Sequence, residues 1–256
     1  MAFYRAEPEM QEYLVGLIDH FADQGRPGLH EQIAVNWVRY DQANLSTGSG
    51  LGAAWADQKP LYPASVVKLV YAVAVEAWLQ KGLLLETLEL RRAVNDMIGV
   101  SSNDATGLVV DCLTGTSSGP DLQGEAWESW QRQRQLVNEW LSDFGWGELE
   151  RVNCCQKTWG DGPYGREQRF YGENNSNRNA LTTASVSRLL EAVMTDGLLS
   201  PPACHRLRSA LARSLDQGER DADPENQVDG FLGEGLPANS RLWSKAGWMS
   251  QARHDA

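Results

Sequence analysis

Ser65 and Lys68 stand three residues apart at the start of a long apolar run, LYPASVVKLVYAVAVEAWLQKG, residues 61–82. At that spacing a hydroxyl and an amine share one face of a helix. A serine is a weak nucleophile until a neighbouring base takes its proton. Lysine in water is protonated and cannot serve, but burial disfavours the ammonium and brings a neutral amine within reach of neutral pH. The N-terminus of a helix also turns backbone N–H groups toward the place where an oxyanion would form. The chemistry on offer is acyl transfer. The chain has only five lysines, and Lys245 is a second one in a suggestive setting, Lys245-Ala246-Gly247. A third setting is Ser101-Ser102-Asn103, followed by Asp104-Ala105-Thr106.

These groups need elements to hold them. The run after Ser65 is apolar on all sides and ends at Gly82, which predicts a helix buried in the middle of the fold. Helical periodicity covers residues 7–21, and β-rich stretches at 32–40 and 51–55 read as strands. Residues 89–98 read as a helix ending before the polar break at 100–106, with a helical run at 108–113. Residues 125–144 read as one amphipathic helix. Thr182 and Thr183 look like caps for a helix over 184–194, and Pro201 opens another reaching about 215. Residues 151–179 form a long loop rich in Gly, Asn, Arg and aromatics, a length that in compact domains is usually functional or mobile. Residues 216–239 are acidic and Gly-rich and read as surface loop. Residues 241–249 read as a late strand.

Composition narrows the classes. With 256 residues, 42% of them hydrophobic and 22% charged, the chain suits one or two globular domains. A net charge of −11 argues against nucleic acid or an anionic membrane as partner, since both require a basic face. No run reaches the length of a membrane span. The N-terminal MAFYRAEPEM lacks the regions of a secretory signal, so the expected location is the cytoplasm, or the periplasm if a leader was removed. The four cysteines, Cys112, Cys154, Cys155 and Cys204, read as reduced thiols, and the four histidines fall in no ligand spacing, so neither a metal nor another cofactor is expected.

Taken in order, Ser65-Val66-Val67-Lys68, Ser101-Ser102-Asn103 and Lys245-Ala246-Gly247 resemble the S-x-x-K, S-D-N and K-T-G elements of the penicillin-recognising serine hydrolases, class A β-lactamases in particular. The resemblance extends over roughly residues 30–255. It implies an α/β fold of the α+β type, with an antiparallel sheet flanked by helices and an all-helical domain beside it. The sheet domain would comprise residues 1–60 and 200–256, the helical domain 61–199, with the cleft between them. It further implies Ser65 as nucleophile, Lys68 as its base or relay, and Ser101 as donor to the leaving nitrogen. Asn103 would hold the substrate amide, and Lys245 the substrate carboxylate. The oxyanion hole would be the N–H groups of Ser65 and Trp248, just after Gly247.

Several positions depart from that pattern. Ala246 removes a hydroxyl that normally meets the carboxylate; Arg253 is a candidate replacement and equally a surface arginine. The interval from Ser65 to Ser101 is short, so a segment lining the cleft mouth is missing. No E-x-x-L-N loop is present. Glu167 falls near the position of the deacylating glutamate, with Glu173 as rival, each also readable as a solvated loop carboxylate. Ser101 and Asn103 are also readable as a helix cap. The chain stops at His254-Asp255-Ala256, where the family would supply further sheet and a closing helix, so a fragment is expected. The leading reading is a hydrolase acting on a small-molecule amide, β-lactams included, or ester. A D,D-peptidase-like hydrolase and a catalytically idle relative that binds a ligand in the same cleft are the alternatives. The oligomeric state is not legible.

Overall fold

A computed structural model describes residues 3–41 and 45–256. Strand β1 (Tyr4–Ala6) leads into helix α1 (Pro8–Asp23), the short α2 (Leu29–Gln32), and strands β2 (Val35–Arg39) and β3 (Gly50–Trp55). A 3-10 turn at Ala64–Val66 feeds α3 (Val67–Gln80), followed by α4 (Leu88–Gly99), α5 (Asn103–Thr114), α6 (Gly124–Arg134) and α7 (Leu136–Ser142). Then come α8 (Arg166–Tyr171), α9 (Thr183–Met194), α10 (Pro201–Leu211), β4 (Ala212–Arg213) and α11 (Gln217–Ala222). Three short strands close the chain: β5 (Leu242–Trp243), β6 (Gly247–Met249) and β7 (Ala252–His254).

Helix α3 is the axis of the molecule. Every residue from Val67 to Trp78 is buried, and α4, α5, α7, α9 and α10 supply the apolar side chains around it. Gly82, at φ +70, ends the run in the left-handed conformation that favours glycine. Two charges lie on this helix. Glu76 pairs with Arg91 of α4 and, at 2.6 Å, with Arg206 of α10, so the carboxylate ties three helices together. Lys68 lies at the other end, toward the site. Fully burying side chains such as Leu69, Val70 and Val73 contributes about 1.5–3 kcal/mol each. That apolar burial offsets the cost of holding the Lys68 amine out of water, which is several kcal/mol for a buried ion.

The strands form three small sheets. In the first, β2 and β1 flank β3; β2 runs antiparallel with Val35 opposite Trp55, and β1 runs parallel with Tyr4 opposite Gly50. Helix α1 covers this sheet through Met10, Leu14 and Ile18 on Ala53. The second pairs β4 with β5, and the third pairs β6 with β7, both antiparallel. The expected strand over 241–249 is therefore interrupted. At the break, Ser244 N donates to Leu211 O (2.9 Å) and Lys245 N to Ala256 O (2.8 Å). The expected helix over 125–144 is broken at Gln135, whose N–H turns back to Arg132 O (3.0 Å) in a 3-10 manner. Among the described residues no helix is long and apolar enough to cross a membrane.

Candidate active site

Ser65 sits in the 3-10 turn that precedes α3. Ala64 before it has φ +47, a left-handed conformation that costs a non-glycine residue on the order of 1 kcal/mol. Strand β6 is pressed against this turn. A Cβ on Gly247 would lie 2.8 Å from Pro63 O and 2.9 Å from the backbone nitrogens of both Ser65 and Val66. Only a glycine lets the strand come this close. The backbone that follows, at Trp248, is thereby brought beside the start of α3.

Ser101 lies between α4 and α5 and is likewise left-handed, at φ +57. Its neighbour Ser102 is the α5 cap, accepting from Ala105 N at 3.1 Å. The capping that the sequence leaves open to Ser101 or Asn103 falls on Ser102, and the Ser101 hydroxyl is turned instead to the lysines. Lys68 Nζ and Lys245 Nζ each lie 3.1 Å from Ser101 Oγ. Lys68 also donates to Ser101 O and, at 2.9 Å, to Asn103 Oδ1. Lys245 donates as well to Gln227 Oε1 and, at 2.7 Å, to Ala246 O. None of these bonds goes to Ser65 Oγ, which stands one turn before Lys68. Catalytic hydrogen bonds of this kind often tighten only when substrate binds.

Both amines are fully buried. Burial lowers the Lys68 pKa to about 7. For Lys245 burial acts first, then the positive charges of Lys68 and Arg213, against the opposing pull of Asp255, and the pKa falls to about 6. At neutral pH the site can thus hold a neutral amine beside a hydroxyl, the requirement for taking a proton from serine.

Gln227 is the site residue that the sequence concealed. It is buried at 6% exposure inside the acidic loop that reads as surface. Its Oε1 also accepts from Ala246 N at 3.2 Å, while its Nε2 donates to Ile98 O (2.9 Å) and Gly99 O (2.7 Å). It thus joins the Lys245-Ala246 segment between β5 and β6 to the end of α4, just before Ser101. The sole local sign was Val228, the single aliphatic residue between Asp223 and Gly230. Arg213 makes a parallel link, from Nη2 to Ile98 O (2.9 Å) and Ser244 O (3.0 Å).

Other residues singled out in the sequence lie apart from this cluster. Glu167, fully buried, accepts from Arg134 Nη2 and from Ser118 Oγ (2.8 Å), with Lys157 Nζ at 3.6 Å. None of its polar contacts is with Ser65, Lys68 or Ser101. Glu173 is exposed in the loop after α8. Arg253 donates to Gly230 O (2.9 Å) and stacks over the Phe231 ring. It stands opposite Trp248 on the hairpin, and Gly247 stands opposite His254. Alternation along a strand therefore puts Arg253 and the exposed Trp248 side chain on the face turned away from Ser65.

The Beta-lactamase2 model of the beta-lactamase enzyme family matches residues 79–256, well over half of the chain. The chain belongs to that family. The matched span holds Ser101, Asn103, Lys245 and Gly247 and begins after Ser65 and Lys68. No curated protein matches the chain. Among solved structures, a beta-lactamase from Sphaerobacter thermophilus is 15% identical with a TM-score of 0.58, covering 94% of this chain and 80% of its own. The structure of PBP-A is 14% identical at TM-score 0.56, covering 95% and 78%. A mutant of the class A beta-lactamase of the last common ancestor of Gram-negative bacteria is 18% identical at 0.58, covering 96% and 82%. At such identities the likeness establishes the fold, which is that of the beta-lactamases and their penicillin-binding relatives.

Proposed function

We propose that this member of the beta-lactamase family is an active-site serine hydrolase that cleaves a small-molecule amide or ester through an acyl-enzyme on Ser65. The observation that carries the reading is the Ser101 hydroxyl held 3.1 Å from each of two buried lysines whose amines have depressed pKa values. In the proposed step, Ser65 Oγ attacks the carbonyl carbon and its proton passes to neutral Lys68 Nζ. Backbone N–H groups of Ser65 and Trp248 take the oxyanion. As the carbonyl re-forms, the C–N or C–O bond breaks and the leaving atom takes a proton through Ser101 Oγ. Asn103 orients the acyl amide. Water then splits the Ser65 ester to give the acid and free enzyme. Sheet elements and helical elements would form the two walls of the cleft.

Neither glutamate is supported as the base for that last step. Glu167 is engaged in a buried ion pair and Glu173 lies in the open loop. The contacts favour a structural role for Glu167.

Intact mass after incubation with a penicillin and, separately, with a 4-nitrophenyl ester tests the reading. A Ser65-dependent adduct that decays with time is the expected result; Ser65→Ala forms none. A lasting adduct would mark a penicillin-binding protein without turnover. No adduct from folded protein would leave an idle ligand-binding relative.

A further inference from the structure

The two lysines beside Ser101 are already engaged. Lys245 Nζ, at 0% exposure, has three acceptors in Ser101 Oγ, Gln227 Oε1 and Ala246 O. Lys68 Nζ has three as well, in Ser101 O, Ser101 Oγ and Asn103 Oδ1. An ammonium carries three N–H donors and a neutral amine two, so neither lysine has one left for a ligand. Arg213 gives Nη2 to Ile98 O and Ser244 O while its unpartnered Nε is buried, and Arg253 is tied through Nη1 to Gly230 O on the far face of the hairpin. Arg178, in contact with β6 through Met249 Sδ at 3.6 Å, has its Cζ 3.3 Å from the Tyr62 ring centroid and its unpartnered Nε buried. Position 246 has no hydroxyl to offer. The loop that delivers Gln227, residues 216–239, carries seven acidic residues against one arginine. That field repels anions approaching the cleft.

We infer that the Ser65 site takes acyl donors with no carboxylate beside the scissile bond, and that Gln227 sets this preference by occupying the Lys245 amine. The inference rests on the Ser65 acyl-enzyme reading and narrows its substrate class to uncharged amides and esters. Gln227 acts through Lys245 and is a positioning residue. Penicillins carry a carboxylate next to the lactam nitrogen, which makes matched probes simple to choose.

The test is the rate of adduct formation on wild-type protein with two pairs: benzylpenicillin against its methyl ester, and 3-carboxy-4-nitrophenyl acetate against 4-nitrophenyl acetate. Each rate is divided by that of alkaline hydrolysis of the same compound. The neutral member should react about tenfold faster or more in whichever pair gives an adduct, the scale of one unfavourable charge contact. Equal rates, or a faster acid, overturn the inference while leaving the acyl-enzyme intact. No adduct with any of the four probes overturns the acyl-enzyme reading itself. In Gln227→Ala, Lys245 regains a donor and the ratio should fall toward one; a ratio unchanged in a folded variant removes Gln227 from the account. Should that variant fail to fold, the wild-type ratio still decides the substrate class.

Discussion

Two adjacent hydroxyls take different partners in the turn after α4. Ser102 holds Ala105 N, and Ser101 lies between the lysines. Ser102→Ala should therefore cost about 1 kcal/mol, or about 2–4 °C in melting temperature for a chain of this size, and leave the acylation rate nearly unchanged. Ser101→Ala should do the reverse, slowing acylation by about 100-fold or more, the usual scale for losing a proton-transfer group. Calorimetry and adduct kinetics on the two variants check both halves. Gly247→Ala is a sharper case. The added methyl would meet backbone on three sides at 2.8–2.9 Å, and backbone cannot swing aside as a side chain does. Acylation should fall by about 100-fold, since small misplacements at a reacting centre carry that penalty, while circular dichroism stays that of the wild type. The sequence displayed these residues because motif spacing is local. It concealed Gln227, since the pairing of a loop amide with a lysine 18 residues on is set by the tertiary path of the loop.

At the scale of elements, periodicity disclosed the helices that bury one apolar face, and α1, α4, α9 and α10 lie close to their expected spans. It failed where polar side chains interrupt an element. The helix break at Gln135 accompanies Arg134 turning inward to Glu167 and Asn138 reaching back to Gln135 Oε1 at 2.6 Å. The strand break at residues 244–246 arises because successive backbone N–H groups find acceptors in three different places: Leu211 O, Ala256 O and Gln227 Oε1. No alternation of residue types foretells either. The Arg134–Glu167 pair also joins α6 to α8 with both side chains at 0% exposure. Removing one partner of such a pair leaves a buried charge and costs about 3–5 kcal/mol. Glu167→Gln should accordingly lower the melting temperature by about 10 °C, and Ser65 should still acylate within about threefold of wild type. A Glu167→Gln protein of unchanged melting temperature whose adduct no longer decays would instead make Glu167 the deacylation base.

For the whole molecule, placing two amines in the interior couples folding to pH. The composition of the buried helix forecast the first, Lys68; the second, Lys245, is enclosed by a loop that reads as solvated. Lysine ordinarily titrates near 10.5, and here burial brings Lys68 to about 7 and Lys245 to about 6. A depressed lysine pKa means that the folded chain holds fewer protons than the unfolded chain between the two values. Stability then rises with pH across that window, and the full penalty falls on the protein once both amines are charged, below about pH 6. Thermal stability should thus climb from pH 6 to pH 8. Above that, the opposite effect of buried thiols enters: burial pushes Cys155 up to about 12, so unfolding releases a thiol that ionises more readily. Activity should share the lower limb for a separate reason. As the proposed base, Lys68 would take the Ser65 proton only when neutral, so acylation should rise through pH 7 and level off above it. The two trends are separable in Lys68→Ala. That variant should lose the rise in acylation and keep the part of the stability slope that belongs to Lys245. If the acylation profile of wild-type protein proves flat from pH 6 to pH 8 while stability still climbs, the buried amine shapes the fold without acting as the base.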